Sequence, residues 1–191
     1  ATDTGDKEFW AKWSINTYKV TLDSNGGDFD PGRNVTSYTY GTGVTLPTKY
    51  DISKNENTFD GWYDNESFSG TAVTEITKSD TGDKYYWAKW IPNTYTVTLN
   101  TNGGSITEGK DVKSYSYGIG ATLPTEKEIT KTQNKFEGWY ESPLCDGTKI
   151  TEITATDKGD KQFFAKWTPN TYTVTLHTND GEIVPGREVY S

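Results

Sequence analysis

The fold of this chain is decided by the stretch YYWAKWIPNTYTVTL, residues 85–99. On either side of residues 91–93, large apolar residues alternate with polar ones, which is the pattern of half-buried β-strands. In the first of these strands one face holds Tyr86, Ala88 and Trp90, and the opposite face includes Trp87 and Lys89. The stretch therefore predicts two strands that follow each other across a very short connection.

The same stretch recurs along the chain at intervals of 77 residues. Ala-Lys-Trp stands at residues 11–13, 88–90 and 165–167, and Asn-Thr-Tyr stands at residues 16–18, 93–95 and 170–172. We infer the last strand of a preceding repeat (1–13), two complete repeats (14–90 and 91–167) and the first part of a following repeat (168–191). The chain is accordingly expected to be a piece of a longer protein.

The length of the period indicates an array of small domains, because the units of solenoid proteins are about 20–50 residues long. The segments are joined by three short connections, at residues 14–16, 91–93 and 168–170. Two of them contain proline, Pro92 and Pro169, which fixes the backbone angle φ. Such short, stiff connections favour an elongated, semi-rigid arrangement of the domains.

Within the first complete repeat the sequence predicts mainly β-structure. Strands are expected at residues 18–22, 35–40, 59–63, 71–76 and 85–90. Asn25-Gly26-Gly27 indicates a hairpin turn, and Gly61 indicates a bulge or a close backbone approach inside its strand. The polar residues 48–57 are expected to form a short helix or a loop. Trp62 and Trp90, which recur as Trp139 and Trp167, are predicted core residues.

Taken in order, these motifs resemble a known family. The set is Tyr-x-Val-x-Leu-x-x-Asn-Gly-Gly, Leu-Pro-Thr, Phe-x-Gly-Trp-Tyr and Ala-Lys-Trp, and it resembles the Listeria–Bacteroides repeat, the B repeat of internalin-type surface proteins. The resemblance implies tandem small β-grasp (ubiquitin-like) domains, each with a mixed sheet crossed by one short helix. It also implies an extracellular, cell-wall-associated bacterial protein whose repeats lie between a distal binding domain and an anchor. It implies no catalytic residues.

The composition argues against several other classes of protein. A net charge of −8 disfavours binding to the phosphates of nucleic acid. No apolar run reaches the ~18 residues of a membrane-spanning helix, so we expect no membrane insertion. One cysteine, Cys145, and one histidine, His177, leave little material for a disulfide, a zinc cluster or histidine-based catalysis. We therefore expect no cofactor.

A candidate contact surface lies on the outer face of the last strand of each repeat. Trp10, Trp87 and Phe164 occupy the same position in successive repeats, and Lys89 and Lys166 lie beside the last two of them. We expect these rings to be half exposed and to pack against a neighbouring repeat or a nearby lysine, the latter worth roughly 0.5–1 kcal/mol. Contact with an external ligand is the alternative.

Three further patterns have a structural explanation that we favour over a chemical one. Recurring acids such as Glu75 and Asp80 could serve glycoside chemistry, but they also suit a solvated face and a turn. The oxygen-rich residues 23–28 could hold Ca²⁺, but the next repeat lacks both carboxylates. Lys54 and Lys84 could form isopeptide bonds if they were buried beside an acid. We predict no catalytic residue and no metal site.

The function predicted from the sequence is a non-enzymatic stalk or spacer that projects a distal adhesive domain from the cell wall. The alternative is an adhesin module that itself binds a host protein or glycan through exposed aromatic rings. A third hypothesis is self-association through an unpartnered strand at residues 172–176.

Overall fold

A computed structural model of the chain describes residues 4–186. The chain divides into two compact units between Asn93 and Thr94. Among the described residues there are strands and turns but no helix, which confirms the prediction of mainly β-structure.

The helix that the resemblance implied is absent from residues 48–57, where the structure has turns and a two-residue strand instead. The Asp51 carboxylate accepts hydrogen bonds from the backbone N–H (2.8 Å) and the hydroxyl (2.7 Å) of Thr48. This pairing closes a tight turn at the start of the segment. The Asp51 backbone N–H also donates to the Thr48 oxygen at 2.9 Å, so the chain makes a single turn before strand β5 begins at Ile52.

Within residues 4–93 the first unit has eight strands, which fall at or near the predicted positions together with several two-residue strands that were not predicted. They are β1 (Thr17–Asp23), β2 (Asp28–Phe29), β3 (Ser37–Thr39), β4 (Val44–Thr45), β5 (Ile52–Ser53), β6 (Asn57–Tyr63), β7 (Glu75–Ile76) and β8 (Lys84–Pro92).

The second unit repeats this order within residues 94–186. Its strands are β9 (Thr94–Asn100), β10 (Ser105–Ile106), β11 (Ser114–Ser116), β12 (Ala121–Thr122), β13 (Ile129–Thr130), β14 (Asn134–Tyr140), β15 (Glu152–Ile153) and β16 (Lys161–Pro169).

Each unit is built on a four-stranded mixed sheet. In the first unit the order is β3-β1-β8-β6, and in the second it is β11-β9-β16-β14. The two central strands, the first and the last of each unit, run parallel, with Val20 opposite Lys84 and Val97 opposite Lys161. The outer pairings are antiparallel. The parallel pairing closes the unit by joining residues more than 60 positions apart.

The predicted bulge at Gly61 is confirmed. The register of β6 against β8 shifts between Phe59 and Gly61, and Gly61 has a φ of 145°. A Cβ atom at this position would lie 2.6 Å from the Cβ of Ala72, so glycine is required both by conformation and by space. Gly138 repeats the feature in β14, with a φ of 144°.

Trp62 is the centre of the first core, as predicted, and only 1% of its surface is exposed. Its indole N–H donates to the backbone oxygen of Pro47 at 2.7 Å, which satisfies the one polar atom of the ring. Phe59 contacts the edges of both Trp62 and Trp90, with ring centres 5.4 and 5.2 Å apart. Burying a ring of this size contributes about 4–6 kcal/mol of hydrophobic free energy.

The second core has the same construction. Trp139 is 1% exposed, and its indole N–H donates to the backbone oxygen of Pro124 at 2.7 Å. Phe136 takes the place of Phe59 between Trp139 and Trp167. Large rings in both cores supply the burial that the small number of aliphatic residues could not.

The described residues at the two ends of the chain, 4–16 and 170–186, have no strand. Residues 4–16 include most of the segment predicted to be the last strand of a preceding repeat, and residues 170–186 include the strand expected at 172–176. Tyr172, Val174 and Leu176 are each about half exposed or more. The equivalent strands β8 and β9 are each held by two neighbours, whereas no described strand pairs with either segment. Isolated strands of this length are not stable in water.

Candidate functional site

The last strand of each repeat places the predicted contact residues on its outer face. Trp87 and Lys89 project from β8 on the side opposite the buried Tyr86 and Ala88, and both are half-buried. In the second repeat Phe164 is half-buried and Lys166 is exposed on the equivalent face of β16. Trp10 lies in residues 4–16, which have no strand, and is 82% exposed.

Lys89 is held by a cluster that the sequence analysis did not find. Its ammonium lies 2.8 Å from Oδ2 of Asp60 and 5.1 Å from the centre of the Tyr63 ring. The Tyr63 hydroxyl donates to the same carboxylate oxygen at 3.0 Å. The hydrogen bond from Lys89 is the main reason that the pKa of Asp60 lies below its ordinary value, and it also raises the pKa of Lys89. Lys89 therefore serves the local structure of its own repeat.

Lys166 is held differently. Its ammonium donates to the backbone oxygen of Cys145 at 3.1 Å and lies 5.1 Å from the centre of the Tyr140 ring. Glu137, at the position of Asp60, pairs instead with Lys135 at 3.3 Å. The aromatic–lysine contact recurs in both repeats, but its carboxylate partner does not.

Trp87 borders a shallow depression of about 290 Å³ in the first repeat. The other residues that line it are Asp23, Asn25, Glu66 and Phe68. Tyr85 adds a second ring beside Trp87, with the ring centres 4.3 Å apart. The parallel register of β1 and β8 puts Asp23 directly opposite Trp87. Alternation in β8 predicted the exposure of Trp87, but no local pattern linked it to Asp23 or Glu66.

A second depression recurs in both repeats beside the buried tryptophan. In the first repeat it is lined by Pro47, Gly61, Trp62 and Ala72 among others, and its volume is about 270 Å³. The second repeat has a depression of the same volume at the equivalent place, where Lys149 replaces Ala72. The groove accompanies the bulge in both repeats, because Gly61 and Gly138 are among the residues that line it.

The recurring acids have structural partners. Oδ2 of Asp80 accepts hydrogen bonds from the backbone N–H (2.7 Å) and hydroxyl (2.6 Å) of Thr77, and Oδ1 pairs with Lys84 at 2.9 Å. These bonds, first of all the one from the Thr77 hydroxyl, lower the pKa of Asp80 to about 2. Asp157 has the same partners in the second repeat and the same pKa of about 2. Both carboxylates are therefore tied into turns.

The described part of the chain offers no group of three or more His, Cys, Asp or Glu side chains that could hold a metal ion. Lys54 donates to the backbone oxygen of Asn25 at 2.8 Å. Across residues 4–186 no helix is long and apolar enough to cross a membrane.

The sequence of each unit matches the same family model over most of its length. Residues 18–89 and residues 95–166 both match the Listeria-Bacteroides repeat domain. The chain belongs to this family. The resemblance seen in the sequence motifs is thereby confirmed, and the two matches fall one on each structural unit.

Two relatives come from Evansella cellulosilytica. One is named as a Gly-rich membrane protein and is 34% identical over 176 residues, which are 92% of this chain and 19% of the relative. The other is named as a membrane protein and is 32% identical over 175 residues, which are 92% of this chain and 24% of the relative. The chain therefore spans about a fifth to a quarter of the length of these relatives.

Among solved structures, the chain is similar to Streptococcal High Identity Repeats in Tandem (SHIRT) domains 3-4 from a cell surface protein. The identity is 16% and the TM-score is 0.30, with 81% of this chain and 99% of the other covered. A likeness at this level does not define the fold.

Proposed function

We propose that this chain belongs to the repeat region of an extracellular, cell-wall-associated bacterial protein, in which the repeats form a non-enzymatic spacer that holds a distal adhesive domain away from the wall. Tandem membership of one repeat family supports this role, as do relatives that are named as membrane proteins and are four to five times longer than the chain. We also infer that each unit is a β-grasp variant in which turns replace the helix around a central parallel strand pair.

The observation that carries the proposal is the connection between the two repeats. Strand β8 ends at Pro92 and β9 begins at Thr94, so only Asn93 lies between them. The Asn93 backbone N–H donates to the Glu56 oxygen at 2.9 Å, and its side-chain oxygen accepts a bond from the Thr58 hydroxyl at 3.0 Å. A one-residue connection that is bonded to its own repeat suits a spacer, because a flexible linker would let the ends of the array approach each other.

Small-angle X-ray scattering of the whole chain tests the spacer. A compact globule of 191 residues has a radius of gyration of about 16 Å. We expect a clearly larger radius that does not change with protein concentration. A short Gly-Ser insertion after Asn93 is the matched control, and it should broaden the distribution of distances. A radius near the compact value, or no response to the insertion, would contradict the proposal.

The second candidate function is adhesion through the outer face of the sheet. The half-buried Trp87 and the 44% exposed Tyr85 favour it, because rings of this kind are common at binding surfaces. Binding of the chain to epithelial cells and to a glycan panel tests it. Saturable binding that is lost in Trp87→Ala and Phe164→Ala variants supports an adhesin, whereas no binding at high micromolar concentration leaves the spacer role alone.

A further inference from the structure

The depression around Trp87 is lined by two aromatic rings, Trp87 and Phe68, and by two carboxylates. Asp23 reaches it from β1, Glu66 comes from the loop after β6, and Phe68 forms a further wall. In the described part of the chain no lysine or arginine lines this depression. The site is therefore negative, partly apolar and open to solvent on one side.

The contacts of Tyr85 show how close the charges are to the rings. Its hydroxyl donates to Oδ2 of Asp23 at 3.4 Å, and its ring lies 4.3 Å from that of Trp87. The pKa of Tyr85 is raised, first by burial and then by the charges of Asp23 and Glu66. Oδ1 of Asp23 accepts the backbone N–H of Asn25 at 2.9 Å. A carboxylate has about four acceptor positions, so Asp23 can still accept N–H groups from a ligand.

This combination selects one class of ligand. An anion would be repelled by the two carboxylates, and a neutral sugar could stack on the rings and donate hydroxyl groups to the carboxylates but would not balance their charge. A guanidinium group uses both features, because it is planar, stacks on an indole face and donates paired N–H groups to a carboxylate. We propose that the outer face of the first repeat binds an arginine side chain of a basic polypeptide partner through Trp87, Asp23 and Glu66.

The second repeat is a natural control inside the same chain. The residues at the five equivalent positions are Asn100, Pro143, Cys145, Gln162 and Phe164. Both carboxylates and the hydroxyl-bearing ring are missing there, and a phenyl ring replaces the indole. We therefore expect binding in the first repeat only. The proposal names the ligand of the second candidate function and is independent of the spacer role.

The test is an NMR titration of the whole chain labelled with ¹⁵N at tryptophan. The probe is acetyl-Gly-Arg-Gly-amide at low salt, and the matched controls are the citrulline and lysine peptides. Citrulline keeps the shape of arginine without its charge. We expect the indole N–H signal of Trp87 to shift saturably with a dissociation constant on the order of 1 mM. The citrulline peptide should bind at least about fivefold more weakly.

Two variants assign the effect to the carboxylates. Asp23→Asn introduces the residue type found at Asn100, so the fold accepts it, and Glu66→Gln keeps the size of an exposed side chain. Together they should abolish the saturable shift of Trp87 while the other indole signals keep their positions, which reports an intact fold.

Several results would overturn the proposal. They are the absence of any shift up to about 20 mM peptide, equal shifts with the citrulline peptide, equal affinity for the lysine peptide, and a shift retained in the double variant. Cell binding that survives in the double variant but is lost in Trp87→Ala would reject the arginine site while keeping an adhesive face. None of these results would alter the scattering test of the spacer.

Discussion

The two repeats that match the family model share one backbone but present different outer faces. Both have the same strand order, the same glycine bulge and a tryptophan that donates to a proline carbonyl. On the outer face, Trp87 faces Asp23 across the parallel pair, whereas Phe164 faces Asn100. The bulge glycine and the central tryptophan of the core recur, whereas the pair of residues facing each other on the outer face differs. Substitutions on such a face usually change stability by less than about 0.5 kcal/mol, so the two faces could diverge without loss of the fold.

The largest effect should come from removing either core tryptophan. We expect Trp62→Ala and Trp139→Ala each to cost about 3–5 kcal/mol, because the cavity lies at the centre of one repeat. Cys145, a buried free thiol, reports on the second repeat alone. Its labelling by a thiol reagent should accelerate strongly in Trp139→Ala and stay slow in Trp62→Ala.

Trp87→Ala is the control for these variants. Because Trp87 is half-buried on the outer face, its removal should lower the free energy of unfolding, measured in urea, clearly less than removal of a core tryptophan. Equal acceleration of Cys145 labelling in both core variants would show that the repeats unfold as one unit. The comparison between two independent repeats would then fail.

The next effect concerns the two bulges. Gly61→Ala should cost about 2–3 kcal/mol, because the residue has a positive φ and its Cβ would meet the Cβ of Ala72. Gly138→Ala should cost less, because the obstacle there is the flexible side chain of Lys149, 2.5 Å from the added atom. Urea midpoints measure both. The double variant Gly61→Ala, Ala72→Gly should recover the part of the loss that is due to the clash, and equal costs in the two repeats would contradict this explanation.

Acid should weaken both repeats alike. Asp80 and Asp157 have pKa values of about 2, below the ordinary 3.8, so their contribution is complete above pH 4 and is lost as the pH falls towards 2. With solvent screening of the partly exposed pairs, we expect each to supply about 1 kcal/mol. Asp80→Asn and Asp157→Asn should each reduce the slope of unfolding free energy against pH in this window. A slope that is unchanged in the double variant would assign the acid sensitivity to other groups.

The smallest expected loss of stability comes from removing a lysine of the outer face, and it should differ between Lys89 and Lys166. Lys89→Ala should lower the urea midpoint more than Lys166→Ala, because the first removes an ion pair with Asp60 and the second removes a bond to a backbone oxygen. An NMR titration of the Asp60 carboxyl gives a second measure, since its pKa should rise towards the ordinary value in Lys89→Ala. An unchanged pKa would show that Lys89 does not hold this carboxylate.

Much of the strand pattern was predictable because it depends on neighbours in the chain. Alternation placed β1, β6 and β8 close to their observed bounds, and the glycine inside Phe59-Asp60-Gly61-Trp62-Tyr63 marked the bulge. The two-residue strands β2, β4 and β5 were not predicted, because a pair of residues has no period to detect. For residues 48–57 the sequence left a short helix or a loop open, and the structure has turns there instead of the helix that the resemblance implied.

The sequence by itself determined the repeat, its family and the residues of the core, because duplication and hydrophobic alternation are both visible along a single chain. Only the tertiary structure decided which outer-face residues meet. Asp23 and Trp87 become neighbours through a parallel pairing of strands from opposite ends of the repeat, and Glu66 reaches them from a loop. No local sequence pattern encodes this contact, because it depends on the strand order of the sheet.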